Sequence, residues 1–376
     1  MNKFIKLSAI VFTVFLISQV FLVSIANASE DSWTTKKAML TGRVSCGSVA
    51  APNGLIYVIG GSQQVKTGSS TPVGTNEAYD PKTDTWATKK AMPTPRDSFG
   101  IVIYQNKIYI IGGSVGGGSV TGVTEVYDTT TDTWETKTSM PTARSSLRAN
   151  IVDGKIYMIG GLKPIDFSNV QSSPGYVNEV YDIATDTWTS KSLPSEGGLS
   201  SAYASAVIDN KIYLFTSDTK GKSTLIYDTE RDLWSYGKPI PIPVMGIPAG
   251  ATMGEQAPKR IYVIGATNSN EPEFTSVQIY DPETDSWSMG TPMPTSRIMS
   301  SIAVMNDYIY VFGGTSSDNE RSTVANEMYT PARYKTSNQP INTILIIIIV
   351  IILTAGTTMI ALRLKKRRHN PPTNSF

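Results

Sequence analysis

Residues 108–134, IYIIGGSVGGGSVTGVTEVYDTTTDTW, contain the unit that decides the fold of this chain. A short apolar run ends at Gly112-Gly113, a loop follows, and Tyr127-Asp128 precedes Trp134 at a fixed spacing. The apolar run and the second tyrosine each recur six times, at intervals of about fifty residues. Regular recurrence of this kind predicts a repeat architecture with one small sheet per repeat.

Each repeat carries the same marks at the same spacing. The tyrosines of the apolar runs are Tyr57, Tyr109, Tyr157, Tyr213, Tyr262 and Tyr310, and the second tyrosines are Tyr79, Tyr127, Tyr181, Tyr227, Tyr280 and Tyr329. A glycine pair ends four of the runs: Gly60-Gly61, Gly112-Gly113, Gly160-Gly161 and Gly313-Gly314. Residues without a Cβ suit a backbone that turns sharply or lies close to a neighbour. Repeats four and five carry Thr216-Ser217 and Gly265-Ala266 instead, so we expect distortion there.

The tryptophans predict the topology. Trp86, Trp134, Trp188, Trp234 and Trp287 follow the second tyrosines of five repeats, but no tryptophan follows Tyr329. Trp33 instead precedes the first apolar run, so the chain begins with the outer strand that its last repeat lacks. We predict that residues near Trp33 pair with the sheet that contains Tyr310 and Tyr329. Such pairing closes a ring and hides two sheet edges.

Four strands are predicted in each repeat, and in the second they cover 99–104, 107–111, 123–127 and 133–136. An aspartate stands two residues before every tryptophan: Asp31, Asp84, Asp132, Asp186, Asp232 and Asp285. We expect these aspartates to bond backbone amides two residues on, which favours a role in turn geometry over catalysis or calcium binding. Each tryptophan is expected to pack between adjacent sheets.

These marks resemble the kelch repeat, which has Gly-Gly after an apolar strand, a later tyrosine and a tryptophan at about this spacing. The resemblance covers roughly residues 32–329. It implies an all-β, six-bladed β-propeller over residues 29–331, with one four-stranded blade per repeat. It also implies a protein that binds other molecules instead of performing chemistry.

The two ends predict export and a membrane anchor. Lys3 and Lys6 precede an apolar run, and Ala26-Asn27-Ala28 fits a cleavage site, so residues 1–28 are predicted to be a signal peptide. An uncleaved anchor is the alternative. After a linker at 332–340, residues 341–362 are predicted to form a transmembrane helix, because 344–362 carry no charge. The basic tail, 363–376, is then cytoplasmic, and the propeller lies outside the cell of a single-pass membrane protein.

The charge distribution excludes several function classes. Seven of the 33 basic residues lie in the two ends, whereas all 31 acidic residues lie within 29–340, so the predicted ectodomain is net negative. Nucleic acid is therefore not expected as a partner. The one histidine, His369, lies in the tail, which removes His-based triads and His-ligated zinc. No cofactor or metal is predicted, and Cys46 is expected to be a buried strand residue.

A candidate site lies on one predicted face. Loops after strands two and four leave an antiparallel sheet at the same end, and the loops after strand two are long and dissimilar. On that face, a recurring phrase before strand one ends in Arg43, Arg96, Arg144 and Arg297. These arginines could seat a carboxylate or sulfate bidentately. Alternatively, each bonds local loop carbonyls as part of the repeat.

We therefore expect a non-catalytic, cell-surface recognition module for an extracellular protein or an acidic glycan. The alternative comes from a resemblance to sialic-acid mutarotases, which are exported six-bladed kelch propellers that need no metal. In that case, Glu196 and the nearby arginines would serve acid and base roles.

Overall fold

The computed structural model describes residues 30–64, 70–165, 172–174, 176–195, 203–218, 221–244, 247–265, 274–315 and 321–333. The regular elements in these ranges are β-strands, and six of the sheets contain four antiparallel strands. The first strand of each such sheet contacts the first strands of the two neighbouring sheets, so the six sheets close into a ring. The predicted all-β, six-bladed propeller is confirmed.

The strands are numbered along the chain. They are β1 (Ser32–Thr35), β2 (Gly47–Ala50), β3 (Ile56–Ile59), β4 (Ser62–Gln64), β5 (Ser70–Pro72), β6 (Asn76–Asp80), β7 (Thr85–Lys89), β8 (Gly100–Tyr104), β9 (Lys107–Ile111), β10 (Ser114–Gly116), β11 (Ser119–Val120), β12 (Thr124–Asp128), β13 (Thr133–Lys137), β14 (Ala149–Val152) and β15 (Lys155–Ile159). They continue as β16 (Leu162–Ile165), β17 (Ser172–Pro174), β18 (Asn178–Asp182), β19 (Thr187–Ser190), β20 (Tyr203–Ile208), β21 (Lys211–Asp218), β22 (Gly221–Asp228), β23 (Leu233–Gly237), β24 (Ala249–Ala251), β25 (Ile261–Ile264), β26 (Val277–Asp281), β27 (Ser286–Gly290), β28 (Ser301–Met305), β29 (Tyr308–Phe312) and β30 (Asn326–Thr330).

Each blade is a simple meander. From the axis outward, the blades are β2-β3-β6-β7, β8-β9-β12-β13, β14-β15-β18-β19, β20-β21-β22-β23, β24-β25-β26-β27 and β28-β29-β30-β1. The four strands expected in the second repeat agree with the structure to within one residue at each end.

The N-terminal strand closes the ring. β1 pairs antiparallel with β30, and Trp33 lies opposite Tyr329 in the register. The outer strand missing from the last repeat is therefore supplied by the start of the propeller, as predicted. This pairing covers the edge of β30 that would otherwise expose unpaired backbone groups.

The core lies between blades and not within them. Six clusters of buried apolar side chains each join two adjacent blades, and one of them joins Tyr57 and Ile59 to Ile108 and Ile110. Both faces of an inner strand are thereby covered, which is why the second strands read as continuous apolar runs instead of alternating ones. Cys46 is buried, as expected, but it lies directly before β2 and not within a strand.

The glycine pairs occupy backbone conformations that other residues rarely adopt. Gly112 and Gly113 have φ values of 66° and 110°. A Cβ on Gly113 would lie 2.7 Å from the carbonyl oxygen of Asp97 in the loop that enters the same blade. Both predicted reasons for the glycines, the turn and the close approach, are confirmed here. In the fourth blade, where Thr216-Ser217 replaces the pair, β21 simply continues and forms a longer hairpin with β22.

The predicted terminal segments lie outside the described residues: the signal peptide (1–28), most of the linker (332–340), the transmembrane helix (341–362) and the cytoplasmic tail (363–376). In the ranges that the structure describes, no helix has the length and apolar character needed to span a bilayer. The last strand, β30, ends at Thr330, and the first of two compact units of the chain ends at Arg333.

Candidate functional site

The four predicted site arginines lie inside their blades. Their side chains are 0% exposed, and each contacts a glutamate on the third strand of the same blade. The pairs are Arg43–Glu77 at 2.7 Å, Arg96–Glu125 at 2.5 Å, Arg144–Glu179 at 2.5 Å and Arg297–Glu327 at 2.9 Å. These guanidinium groups are thus enclosed by protein and already hold a carboxylate of their own chain.

Other donors of these arginines contact backbone carbonyls of the entering loop and of strand two, although Arg96 Nε and Arg297 Nε and Nη1 have no partner among the described residues. Arg144 donates through Nε to Gly160 O at 2.8 Å, through Nη2 to Met158 O at 3.1 Å and through Nη1 to Thr142 O at 3.1 Å. This geometry fits the scaffold alternative, in which the arginine joins the entering loop to strands two and three. For these four residues, the contacts favour the scaffold role over the binding of an external anion.

A sequence signal for these pairs was present and was missed. The glutamate stands two residues before the second tyrosine in the four repeats that carry the arginine, and it is absent from the other two. The fourth blade has Leu225 at this position, and the fifth has Gln278. Gln278 bonds the backbone of Ile242 in both directions, at 2.7 Å and 3.1 Å, so an amide replaces the ion pair.

The tyrosine, aspartate and tryptophan that recur at a fixed spacing form a second repeated contact, which joins adjacent blades. Asp132 accepts hydrogen bonds from the Tyr127 hydroxyl at 2.7 Å and from the Lys90 N–H at 2.9 Å. Trp134 Nε1 donates to the carbonyl of the same Lys90 at 2.9 Å. Each blade thereby bonds both backbone groups of the residue that follows the outer strand of the preceding blade. The tryptophan packs between the two blades, as predicted.

The prediction for the aspartate itself was wrong in its bonding partner. Asp132 does not bond amides two residues on. The turn amide of Thr130 is bonded by Asp128, the residue after the tyrosine, at 2.8 Å. Asp132 instead has a positive φ of 56°, and this conformation directs its carboxylate toward Tyr127 and the preceding blade.

A cavity of about 240 Å³ lies on the axis of the ring and is lined by the beginning of strand one from all six blades. Its lining is rich in serine hydroxyls, including those of Ser48, Ser205 and Ser301. Among the lining residues that the structure describes, Arg148 alone carries a charge. The cavity is therefore polar and locally cationic, although the predicted ectodomain as a whole is negative.

Backbone hydrogen bonds run around the cavity rim. Ser45 donates to Met299 O at 2.8 Å, Ser98 donates to Ser45 O at 3.1 Å, and Leu147 donates to Ser98 O at 3.2 Å. Ser45, Ser98 and Met299 have φ values of 50°, 55° and 56°. Such left-handed conformations of residues other than glycine cost about 1–3 kcal/mol each and concentrate at functional sites. These bonds link blades six, one, two and three along one arc of the rim.

Beside the rim, the loops after strand two form a raised surface that we call the hairpin ridge, composed of β4–β5, β10–β11 and β16–β17. The first residue of each hairpin forms a backbone bridge to the loop that enters strand one, at Val44–Ser62, Asp97–Ser114 and Ser145–Leu162. β5 contacts β10, and β11 contacts β16. The ridge is therefore continuous across three blades and borders the cavity on the predicted loop face.

Two candidate residues from the sequence analysis cannot be placed relative to this site. Glu196 and His369 lie outside the described residues. In the described ranges, no group of three or more His, Cys, Asp or Glu side chains is arranged to hold a metal ion.

The fold and its repeated contacts define a six-bladed β-propeller in which every blade is joined to its neighbours by the same Tyr–Asp–Trp set. Family models support this class: the FKB95, Kelch-repeats domain matches residues 89–240, and the Kelch motif matches residues 43–93 and 258–294. The chain belongs to the kelch-repeat β-propeller family.

Curated relatives share parts of the propeller. Human Kelch repeat and BTB domain-containing protein 12 is 32% identical over 127 residues, which cover 30% of this chain and 20% of that protein. Kelch-like protein 41a of Danio rerio is 39% identical over 79 residues, 21% of this chain and 12% of the relative. Beta-scruin of Limulus polyphemus is 26% identical over 153 residues, 38% of this chain and 16% of the relative. The chain thus spans a fifth or less of the length of these relatives.

A solved structure shares the fold over most of its length. The structure of YjhT superposes with a TM-score of 0.63 and covers 78% of this chain and 96% of that chain. The two sequences are 13% identical, so this likeness shows the fold alone.

Proposed function

We propose that this chain is a non-catalytic recognition module that binds another molecule on the loop face of its propeller. The hairpin ridge is the observation that carries the proposal. Recognition residues are commonly held on loops that a rigid scaffold positions, and preorganised loops lose less entropy on binding.

The ridge has the features that such a surface needs. Its loops are folded into hydrogen-bonded hairpins, and Ser62 in the first hairpin bonds Asp97 in the entering loop of the next blade at 2.5 Å. Gly116 in β10 lies against Pro72 in β5, where an added Cβ would be 3.4 Å from the proline ring. Exposed side chains such as Gln63 and Val115 then offer both polar and apolar contact.

The site of action that we propose is the cell surface. The signal peptide and membrane segment predicted from the sequence would hold the propeller outside the cell, where an extracellular protein or an acidic glycan would be the partner. The family membership supports a binding role in general.

The test is to screen the full chain, purified in detergent, against arrays of extracellular proteins and of glycans. A ridge variant with Gln63→Lys and Val115→Glu is compared with a control variant, Thr136→Glu, on the exposed outer strand of blade two. We expect the ridge variant to lose at least tenfold in affinity for any ligand found, whereas the control retains it. Equal affinity of the two variants would remove the ridge from the proposal.

The second candidate function is a metal-independent sugar mutarotase. The serine-lined cavity with one cation favours it, because such a cavity could hold a small acidic sugar. Incubating the full chain with a pure anomer of N-acetylneuraminate tests this idea. Equilibration at the rate of the buffer alone would exclude it.

A further inference from the structure

Arg148 differs from the four buried arginines of the repeat. Each of those lies against a glutamate, but within the described residues no carboxylate pairs with Arg148. Its hydrogen bonds go to backbone carbonyls, from Nη1 to Leu147 O at 3.0 Å and from Nη2 to Ile247 O at 3.5 Å. The second of these acceptors belongs to the fifth blade, so the guanidinium reaches past blade four to contact blade five.

Arg148 also differs in residue type from the equivalent positions of other blades. Four residues after the recurring arginine that precedes strand one, the first blade has Gly47, the second has Gly100 and the sixth has Ser301. Small residues there leave the axis open, whereas the third blade projects a long cation into it. The enclosed pair of the same blade, Arg144–Glu179, is separate from this residue.

A second polar group that lines the cavity is the Ser48 hydroxyl. The Ser48 hydroxyl is buried, at 6% exposure of the residue, and has no hydrogen-bond partner among the described residues. A buried hydroxyl without a partner is destabilising, so an acceptor or donor brought by a ligand would be favoured at this point. Ser48 and Arg148 line the same cavity from blades one and three.

The electrostatics of Arg148 agree with an anion site. Burial lowers the pKa of Arg148 below its usual value, since desolvation disfavours the charged form. An arginine nevertheless stays protonated in proteins, so the charge remains and is unbalanced. An oxyanion in the cavity would restore the balance through charge-assisted hydrogen bonds, which guanidinium forms bidentately with carboxylates.

We propose that the axial cavity is a binding site for a small carboxylate, with Arg148 as its charge partner and the cavity serines, Ser48 in particular, as hydrogen-bonding groups. The volume of about 240 Å³ lies below the roughly 300–1,000 Å³ of pockets for drug-sized ligands. The site therefore takes a small molecule or a single acidic group. It does not depend on the hairpin ridge, and ridge variants should retain it.

The test uses the full chain in detergent and isothermal titration calorimetry with malonate, with malonamide as the neutral isostere and sulfate and phosphate as competing oxyanions. We expect malonate to bind and malonamide not to bind. Arg148→Met should weaken malonate at least tenfold, and Ser48→Ala should weaken it severalfold. Arg231→Met, which removes the same charge from an exposed turn of blade four, should leave the affinity unchanged.

Three results would overturn the proposal: no binding of malonate to the wild type, equal binding of malonate and malonamide, or unchanged affinity in Arg148→Met. Binding of sulfate and phosphate without malonate would also overturn the assignment to carboxylates. If Arg148→Met does not fold, Arg148→Lys replaces it, because lysine keeps the charge but loses the planar fork. We expect at least threefold weaker malonate binding in that variant, and an unchanged affinity in it would count against the site.

Discussion

Breaking the Arg96–Glu125 pair should destabilise the propeller strongly. Both side chains are nearly enclosed, with 0% and 3% exposure, and Arg96 Nη1 lies 2.5 Å from Glu125 Oε2. Arg96→Met leaves the glutamate with the Thr94 hydroxyl, at 2.7 Å, as its remaining side-chain contact, and also leaves Ile110 O without the guanidinium. Removing one partner of such a pair costs about 3–5 kcal/mol, because the other charge stays buried without compensation.

The fifth blade supplies the compensating variant. There Val244 stands at the arginine position and Gln278 at the glutamate position, and the Gln278 amide bonds the entering loop. The double variant Arg96→Val, Glu125→Gln should therefore cost less than the sum of the two single variants by about 1–3 kcal/mol. It removes both charges and retains a group that can bond the loop.

The assay is urea denaturation followed by tryptophan fluorescence, with the free energy of unfolding extrapolated to water. The matched control is the Lys107–Glu135 pair, which has a similar distance of 2.6 Å but 44% and 40% exposure. Lys107→Met should cost about 0–1 kcal/mol, because water screens an exposed pair. The reasoning is refuted if Arg96→Met costs no more than the control, or if the double variant shows the full sum of the single losses.

Three further predictions concern backbone, pH and closure. Gly113→Ala should destabilise by at least about 1 kcal/mol more than Gly54→Ala, because both have positive φ but an added Cβ meets a carbonyl oxygen at 2.7 Å in the first case and open space in the second; equal melting temperatures would contradict this. The hydrogen bond from the Tyr127 hydroxyl is the largest effect that holds the pKa of Asp132 below its usual value. The ionised Asp132 therefore stabilises the folded protein above the usual pKa of an aspartate, and this stabilisation is lost as pH falls through the lower pKa of the folded state. Asp132→Asn should flatten the acid side of the melting-temperature profile below about pH 4, and a profile parallel to the wild type would disprove it. Deleting residues 30–36 should expose the edge of β30 and produce oligomers in light scattering, whereas a stable monomer would show that closure is dispensable.

Much of the fold could be predicted because residues close together in the sequence specify each repeat. Trp33 lacks a preceding tyrosine partner in sequence and Tyr329 lacks a following tryptophan, and this mismatch alone predicted their pairing across the closed ring. The glycine pairs were predictable for a similar reason, since a positive φ is a property of one residue. The bonding of Asp132 was not predictable, because its second partner, Lys90, belongs to another blade.

Arg144 and Arg148 show the difference between what the local sequence pattern predicts and what the tertiary structure decides. The sequence by itself determined the repeat, the blade number and the closure, since these follow from spacing, and it marked Arg144 as the recurring cation. The tertiary structure alone decided that Arg144 is enclosed with Glu179, whereas Arg148, four residues later, faces the axis. The physical reason is that burial and charge pairing depend on groups from other strands and other blades. The spacing of residues within one repeat does not specify those groups.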